Sequence, residues 1–428
     1  MVRNAPKVSV GAGAGVCHSG HSAAEERRRR EENLRYLCTA LLALWAVAVT
    51  ASAARAVEVA AAVFRIDYPT LAPISRFETV PEDMGFAGAV LATEDNMTTG
   101  GFLGHSYSTE TVSAPPEEAD AAFAALLERG VKIIVVLARG EDVLRLADMA
   151  GEGRLVLNAG ADDVALRSKQ CRANLLHIAP SMAMKADAVA QFAVWKKWPE
   201  WFLIHGSNPA DLAQAEAYRR AATKFGARIV EEREFEDTGG ARRTDSGHVL
   251  VQRQIPVFSQ GAEDHDIVIA ADGSDLFAPY LPFHLWTPAP VMGAGGLRPV
   301  TFHGAQEAWG ASQFQNRFEE ISGRYMREED YQVWLALRVV GEAVTRANTN
   351  EPAALRDYLL GPDFEVAAFK GVPLTFRSWN GQLRQPILLF DGRITASVSP
   401  QEGFLHQVSP LDTLGLDAPE SACTAFGG

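Results

Sequence analysis

Cysteine is scarce in this chain: four residues in 428, at positions 17, 38, 171 and 423. No pair of them forms Cys-x-x-Cys, so neither a zinc ribbon nor a dithiol redox motif is encoded. His-Glu-x-x-His, Gly-x-Ser-x-Gly and Gly-x-x-x-x-Gly-Lys-[Ser/Thr] are missing too, and Ser207 sits in His-Gly-Ser-Asn-Pro. The usual metalloprotease, nucleophile-elbow and P-loop chemistries therefore have no carrier, and the chain reads as a non-enzyme. Heptads and 20–50-residue repeats are lacking, which sets aside coiled coils and solenoids. Excess positive charge is also lacking. The net charge is −13, and because the first 56 residues hold eight Lys/Arg against four Asp/Glu, the remaining 372 carry −17. A body this acidic repels nucleic-acid phosphates. Finally, long apolar runs are scarce. The uncharged stretch Tyr36–Ala54 has 19 residues, 16 of them from Thr39 on, at the short end of the roughly 20 a span requires.

That stretch has a different reading. Arg27–Arg30 precede it, and Ala54-Arg55-Ala56 closes it with small residues around a cleavage point. Residues 1–56 are expected to be a Sec-type signal peptide, directing the mature chain to the periplasm. An uncleaved anchor is the alternative. Gly11–Gly15 and Cys17-His18 with His21 imitate a phosphate loop and a metal cluster, but no strand precedes the glycines and the segment belongs to the leader.

What remains is 47% hydrophobic overall, with short β-branched runs alternating with helical periodicity. The plainest unit spans 200–235. Trp201–His205 is a buried-strand run, and Asn208-Pro209 is a cap followed by a first-turn proline. Leu212, Ala215, Tyr218 and Phe225 give one apolar helix face, and Gly226 is the left-handed stop. Similar units surround it: a strand at Val57–Ile66, a helix over Met84–Met97, a helix over Glu117–Arg129, and strands at Val131–Ala138, Arg154–Asn158 and Asp266–Ala271. Helices follow at Ser312–Gly323, Glu328–Ala347 and Pro352–Leu360, and an extended tail runs over Val372–Phe390. Asp237–His248 reads as a loop. Val249–Phe258 is ambiguous, because Pro256 interrupts it. This order specifies an α/β fold with parallel sheets covered by helices on both faces.

In this order and register the chain resembles type I periplasmic solute-binding proteins of the branched-chain amino acid ABC transporter class. The resemblance is carried by Phe86–Ala89, VKIIVV, LVLNAG, FLIHGSNPADL and FQNRFEEISGRY…EDYQVWLALRVVGEAV, and covers roughly 57–415. It implies two Rossmann-like lobes joined by a three-segment hinge, with crossings near His177–Ser181, Val300–Gln306 and Pro373–Leu383. It divides the chain into first-lobe segments 57–178 and 303–375, second-lobe segments 179–302 and 376–415, and a tail at 416–428. FHLWTPAPVMGAGGLRP, AALRDYLL, FKGVPLTFRSWNGQLRQPI and SPQEGFLHQ are similar to a subgroup found beside pyrroloquinoline quinone (PQQ)-dependent alcohol oxidation systems. The resemblance implies capture of an anionic aromatic solute, PQQ foremost, as ligand rather than enzymatic cofactor. The partner is then an ABC permease or a PQQ-dependent dehydrogenase, with membrane contact only through the permease. A periplasmic sensor or accessory protein that binds another solute, or none, is the competing reading.

Ligands of open parallel sheets lie beyond the carboxyl ends of the strands. That rule selects Tyr68, Arg139, Asn158, Gly160, His205, Ser207, Asp272, Gly295 and Gly296, with Arg298 beside them. The amino-acid-binding relatives grip their ligand with Ser and Thr in the loops after strands three and four. Here those loops read Ala138-Arg139-Gly140-Glu141-Asp142 and Asn158-Ala159-Gly160-Ala161-Asp162, without either. Arg139 offers a planar fork for a carboxylate instead, unless it merely pairs with Glu141 or Asp142. Trp286, Trp309 and Tyr331 are the aromatic faces on which a quinone would stack, and packing is the competing role for each. His205 is balanced between ligand and core. No metal ligand set is read. Cys171 and Cys423, the cysteines left after cleavage, are expected to form a disulfide that staples the tail to the first lobe, with two free thiols as the alternative.

Overall fold

The structure, a computed structural model, describes residues 27–30, 56–70, 79–236 and 250–426. Residues 1–55 and 56–428 form separate units. Of the first, only a helical turn at 27–30 (α1) is described, so the leader read from the sequence lies almost wholly outside the described residues, as does the loop at Asp237–His248.

The first lobe is built on five parallel strands in the order β2-β1-β3-β4-β5. They are β1 (Glu58–Ile66), β2 (Ser106–Ala114), β3 (Ile133–Leu137), β4 (Leu155–Asn158) and β5 (Leu175–His177). Side chains alternate across this sheet. Val63, Ile133, Val135 and Leu157 point into one core, while Phe64, Ile134, Val136 and Val156 point into another. Helices α3 (Ala119–Glu128) and α4 (Gly140–Ala150) close the second core. The first core is closed by α2 (Phe86–Gly101) together with helices from much later in the chain.

The second lobe begins with α5 (Met182–Trp195). Its sheet is also parallel, in the order β7-β6-β8-β9, from β6 (Glu200–His205), β7 (Arg228–Glu234), β8 (Ile267–Ala271) and β9 (Val291–Gly293). Helices α5 and α6 (Pro209–Phe225) cover one face; α7 (Val251–Ser259) and the short α8 (Leu281–His284) cover the other. The helix α6 begins as its sequence dictates. The Asn208 backbone N–H donates to Asp211 Oδ2 at 3.1 Å, and Gly226 ends the helix at φ 75°. The ambiguous stretch around Pro256 is helical; nine residues are short enough to tolerate the one intrahelical bond proline removes.

From β10 (Arg298–Val300) the chain returns to the first lobe with α9 (Ala311–Ser322), α10 (Glu328–Ala347) and α11 (Pro352–Leu360), followed by the hairpin β11 (Thr375–Phe376) and β12 (Leu383–Arg384). It then crosses again into β13 (Ile387–Phe390), which pairs antiparallel with β10, and β14 (Thr395–Ser399), which pairs antiparallel with β13. Leu374, Phe376 and Leu383 belong to the first-lobe core and Ile387 and Leu389 to the second. The third passage therefore lies at 385–386, just beyond the segment expected from the sequence. The other two run over 178–181 and 301–310.

Helices α2 and α10 approach closely through two glycines. A β-carbon on Gly88 would lie 2.1 Å from the Asp330 carbonyl oxygen, and one on Gly341 2.1 Å from Asn96 Oδ1. The buried Asn96 amide donates to Leu337 O at 2.8 Å across the same seam. Gly88→Ala should therefore lower the urea midpoint, by about 1–3 kcal/mol from overpacking, although alanine is the better helix former by about 1 kcal/mol. A raised midpoint would mean the helices separate at no cost.

Candidate functional site

Strands β1 and β3 deliver Tyr68 and Arg139 to the carboxyl edge of the first sheet. Arg139 is the N-cap of α4, and its backbone N–H donates to Tyr68 Oη at 2.9 Å. The phenol in turn donates to Asp142 Oδ2. Burial, aided by that carboxylate, holds the Tyr68 hydroxyl well above its ordinary pKa, so it stays a neutral donor. The Arg139 guanidinium stacks on the phenol ring, 4.1 Å from its centroid. Asp142 is occupied by Tyr68 and Arg145, so the surface pair weighed against ligand contact is not formed. Among the described residues no carboxylate pairs with Arg139, and its side chain is exposed.

The next loop is shaped from beneath by Asn158. Fully buried, it accepts from the N–H groups of Gly160 and Ala161 (3.1 and 2.8 Å), donates to Ala161 O (2.8 Å) and meets His177 Nδ1 at 3.1 Å. Its amide is thus spent on shaping the loop. Gly160 is exposed, and a β-carbon there would lie 3.1 Å from Ala138 N. The two loops abut along their backbones, and a side chain at 160 would push them apart.

On the second lobe, His205 is buried. Its Nδ1 lies 2.8 Å from Gly206 O and its Nε2 3.2 Å from Glu232 Oε1. Ser207 stands exposed at the turn leading into α6. Asp272 is an organiser of its own loop rather than a free carboxylate, because it accepts from the N–H groups of Leu276 (2.9 Å), Phe277 and Ala278 (both 2.7 Å). Gly295 and Gly296 make the tight turn after β9. Gly296 has φ +60°, and β-carbons on the two would come within 2.3 Å of Ala278 O and 2.1 Å of Val291 O. Arg298 is exposed, with its guanidinium 5.5 Å from the Phe390 ring centroid.

The aromatic candidates fare differently from expectation. Trp286 precedes β9 and its N–H donates to Ser259 Oγ, at the end of α7, at 2.9 Å. In a parallel sheet the connection entering a strand lies at the amino edge. Trp286, 56% exposed, is therefore on the far side of the lobe from the cleft. Tyr331 is fully buried in the first-lobe core, stacked on Phe302 at 5.0 Å, and donates to Ala368 O at 2.8 Å. Trp309 is 48% exposed and lies over Gly371.

The passages between lobes carry charges that sequence reasoning missed. The Lys185 ammonium on α5 lies 3.5 Å from Asp162 Oδ2, while the Met182 N–H donates to Asp162 O at 2.7 Å. Burial alone would depress the Lys185 pKa, but Glu328, Asp162 and Glu329 outweigh it and hold the group protonated. Glu328 accepts from Thr301 N–H (2.7 Å) and Thr301 Oγ1 (2.9 Å). Lone lysines and acids at helix starts have no sequence signature; only the folded crossing unites them. The outcome is a guanidinium on an aromatic ring, without a carboxylate partner among the described residues, at the carboxyl edge of the first sheet, polar turns at that of the second, and paired charges at the passages. No group of nucleophile and base is assembled among the residues named here.

The cysteine expectation holds: Cys171 and Cys423 form a disulfide, Cα atoms 5.7 Å apart.

Comparison with known proteins follows this geometry. The periplasmic binding protein family model matches residues 82–264. No curated protein sequence matches the chain. A branched chain amino acid ABC transporter periplasmic ligand-binding protein from Burkholderia xenovorans superposes with a TM-score of 0.64 at 18% identity, covering 86% of this chain and 100% of that one. The leucine-, isoleucine-, valine-, threonine- and alanine-binding protein of Brucella ovis, in its closed conformation, gives 0.60 at 16% identity over 78% and 89%. A solute binding protein of R. palustris in complex with 4-hydroxybenzoate gives 0.56 at 11% identity over 78% and 92%. The chain therefore has the two-lobed type I periplasmic binding protein fold, and that family's sequence pattern runs through its residues 82–264.

Proposed function

We propose that this protein is a periplasmic solute-binding protein of the ABC-transporter type, which closes its lobes on an anionic aromatic small molecule and performs no chemistry. PQQ, a planar quinone with three carboxylates, is the first candidate. The observation that carries this reading is Arg139: a guanidinium stacked on Tyr68, its backbone N–H bonded to the same phenol, and without a carboxylate partner among the described residues. Such a fork takes a carboxylate through two charge-assisted hydrogen bonds and presents a flat cation to a ring. The R. palustris protein was solved with 4-hydroxybenzoate, an aromatic carboxylate, which suits the same chemistry. The ligand would pass to an ABC permease or to a PQQ-dependent dehydrogenase, and the leader read at residues 1–56 accounts for export.

The test is tryptophan fluorescence of protein expressed from Val57, titrated with PQQ. Saturable one-to-one quenching is expected. Arg139→Ala should weaken it about 10- to 100-fold, the usual loss for hydrogen bonds to a charged group. Tyr68→Phe, which keeps the ring and removes the acceptor for Arg139 N–H, should cost a few-fold. Trp286→Ala, remote from the cleft, should leave affinity unchanged. A flat titration after inner-filter correction removes PQQ and moves the assignment to the sensor or accessory reading.

A further inference from the structure

The C-terminal segment touches both lobes. Gly415 N–H donates to the buried Asp187 of α5 at 2.8 Å, and Glu420 pairs with Arg220 and Lys224 of α6 at 3.3 and 3.6 Å. These anchors belong to the second lobe. From the next residue on, the partners lie in the first lobe. Ser421 Oγ donates to Arg167 O at 2.9 Å, Ala422 N–H to Ser168 Oγ at 3.0 Å, and Cys423 is bonded to Cys171. Beyond it, Phe426 packs beside Gly381 and Leu176. Just before Gly415, Leu411 O and Asp412 receive Arg377 of the β11–β12 hairpin, each at 2.9 Å.

We infer that residues 415–426 form a fourth, covalently closed connection between the lobes, a strap that limits how far they separate. The inference rests on the reading of the protein as a hinged, two-lobed binder. The physical argument is length. From Glu420 on α6 to Cys423 on the first lobe there are three residue steps, which span at most about 10–11 Å when fully extended. The three other passages can turn together as one hinge. A short tether, held at α6 by the Glu420 ion pairs and at the first lobe by a disulfide, resists separation of α6 from the Cys171 loop for as long as those ion pairs hold. Without the covalent bond, the part of the tether beyond Glu420 is held on the first lobe by two hydrogen bonds and the packing of Phe426, each of the strength that local opening overcomes; nearer its start, Arg377 of the hairpin still donates to Leu416 O at 3.3 Å.

The strap is tested on ligand-free protein, so the result does not depend on what the cleft binds. Small-angle X-ray scattering is recorded for the oxidised protein, for protein reduced with dithiothreitol and capped with iodoacetamide, and for the Cys171→Ser/Cys423→Ser variant. In the reduction, the dithiol gives two electrons and two protons to the cystine and closes to its own disulfide. Cutting the strap should raise the radius of gyration by on the order of 1 Å above the roughly 21 Å of a compact chain of this length, and broaden the pair-distance distribution, with circular dichroism unchanged. Superimposable scattering from all three forms overturns the inference. So does loss of circular dichroism in both cut forms, since the disulfide would then hold the fold rather than the hinge. Failure of PQQ to bind leaves the scattering result, and the strap, standing.

Discussion

Asp412→Ala is expected to destabilise the protein by about 3–5 kcal/mol, the cost of leaving buried charge without its partner. The carboxylate is inaccessible and accepts from two guanidiniums at once, Arg377 Nε at 2.9 Å and Arg384 Nε at 2.8 Å. Arg377 is equally buried, and its remaining donors go to carbonyls of the tail, including Leu411 O at 2.9 Å and Leu416 O at 3.3 Å. Arg384 reaches Phe376 O and, at 3.3 Å, Thr375 Oγ1. Burial depresses the Arg377 pKa, and Asp412 is the main influence opposing that depression. Alanine at 412 would leave two cations facing each other across a cavity from which water is excluded. The tail would come off the β11–β12 hairpin rather than tolerate it. Urea denaturation at pH 7 reads the effect. Asp412→Asn, which keeps the shape and an acceptor but not the charge, should fall between wild type and alanine. A loss below about 1 kcal/mol for alanine would show that the guanidiniums reach water freely, as surface pairs do.

A second large effect concerns Lys370. Its ammonium is buried where two passages meet, donating to Thr301 O and, at 3.2 Å, to Pro386 O, with the Tyr331 ring centroid 5.2 Å away. Burial lowers its pKa from 10.5 to about 7, and Glu328 opposes that shift. Because the folded value lies below the unfolded one, the unfolded chain holds the extra proton between pH 7 and 10.5. Stability then rises with pH across that window. The penalty is complete below pH 7 and disappears as pH climbs through 10.5. Between pH 7 and 9 the gain is about 2 kcal/mol, from at most 1.36 kcal/mol per pH unit. Lys370→Met should be at least as stable as wild type at pH 7, and its stability profile should lack this slope. The difference between the two profiles isolates the lysine from other groups titrating in the same range. A variant whose profile runs parallel to wild type would show that Lys370 stays protonated throughout.

Much of the architecture could be read from residues because the signals were local. Asn208-Pro209 and Gly226 bounded one helix as their backbone preferences demand, and β-branched runs marked the buried strands. Strand β2 escaped, since SYSTETVSA is a polar edge strand with few buried positions and so carries no apolar run. The site was legible where a residue's role follows from its place at a strand end, as with Arg139. It was not legible where a role depends on strand direction in three dimensions. Trp286 looked close to the Gly295 turn in sequence, yet the three-residue strand β9 separates the two edges of the sheet. Tyr331 could have been placed from sequence alone. It shares a face of α10 with Trp334, one turn on, and a residue three positions from a buried tryptophan has the same core to enter.

The first lobe is assembled from two distant pieces, and this has a consequence for how the chain acquires its structure. Until α9–α11 and the hairpin ending at Arg384 exist, the sheet face bearing Val63, Val135 and Leu157 is covered only by α2. An incompletely synthesised chain thus presents an open apolar surface for most of its length, and the contacts that cover it span more than 200 residues. Such long-range closure is slow and exposes intermediates to aggregation. The second lobe's central sheet is continuous in the chain and can form on its own schedule. The lobe that begins first finishes late, so a holding factor that keeps the N-terminal third from collapsing would matter more here than one acting on the middle.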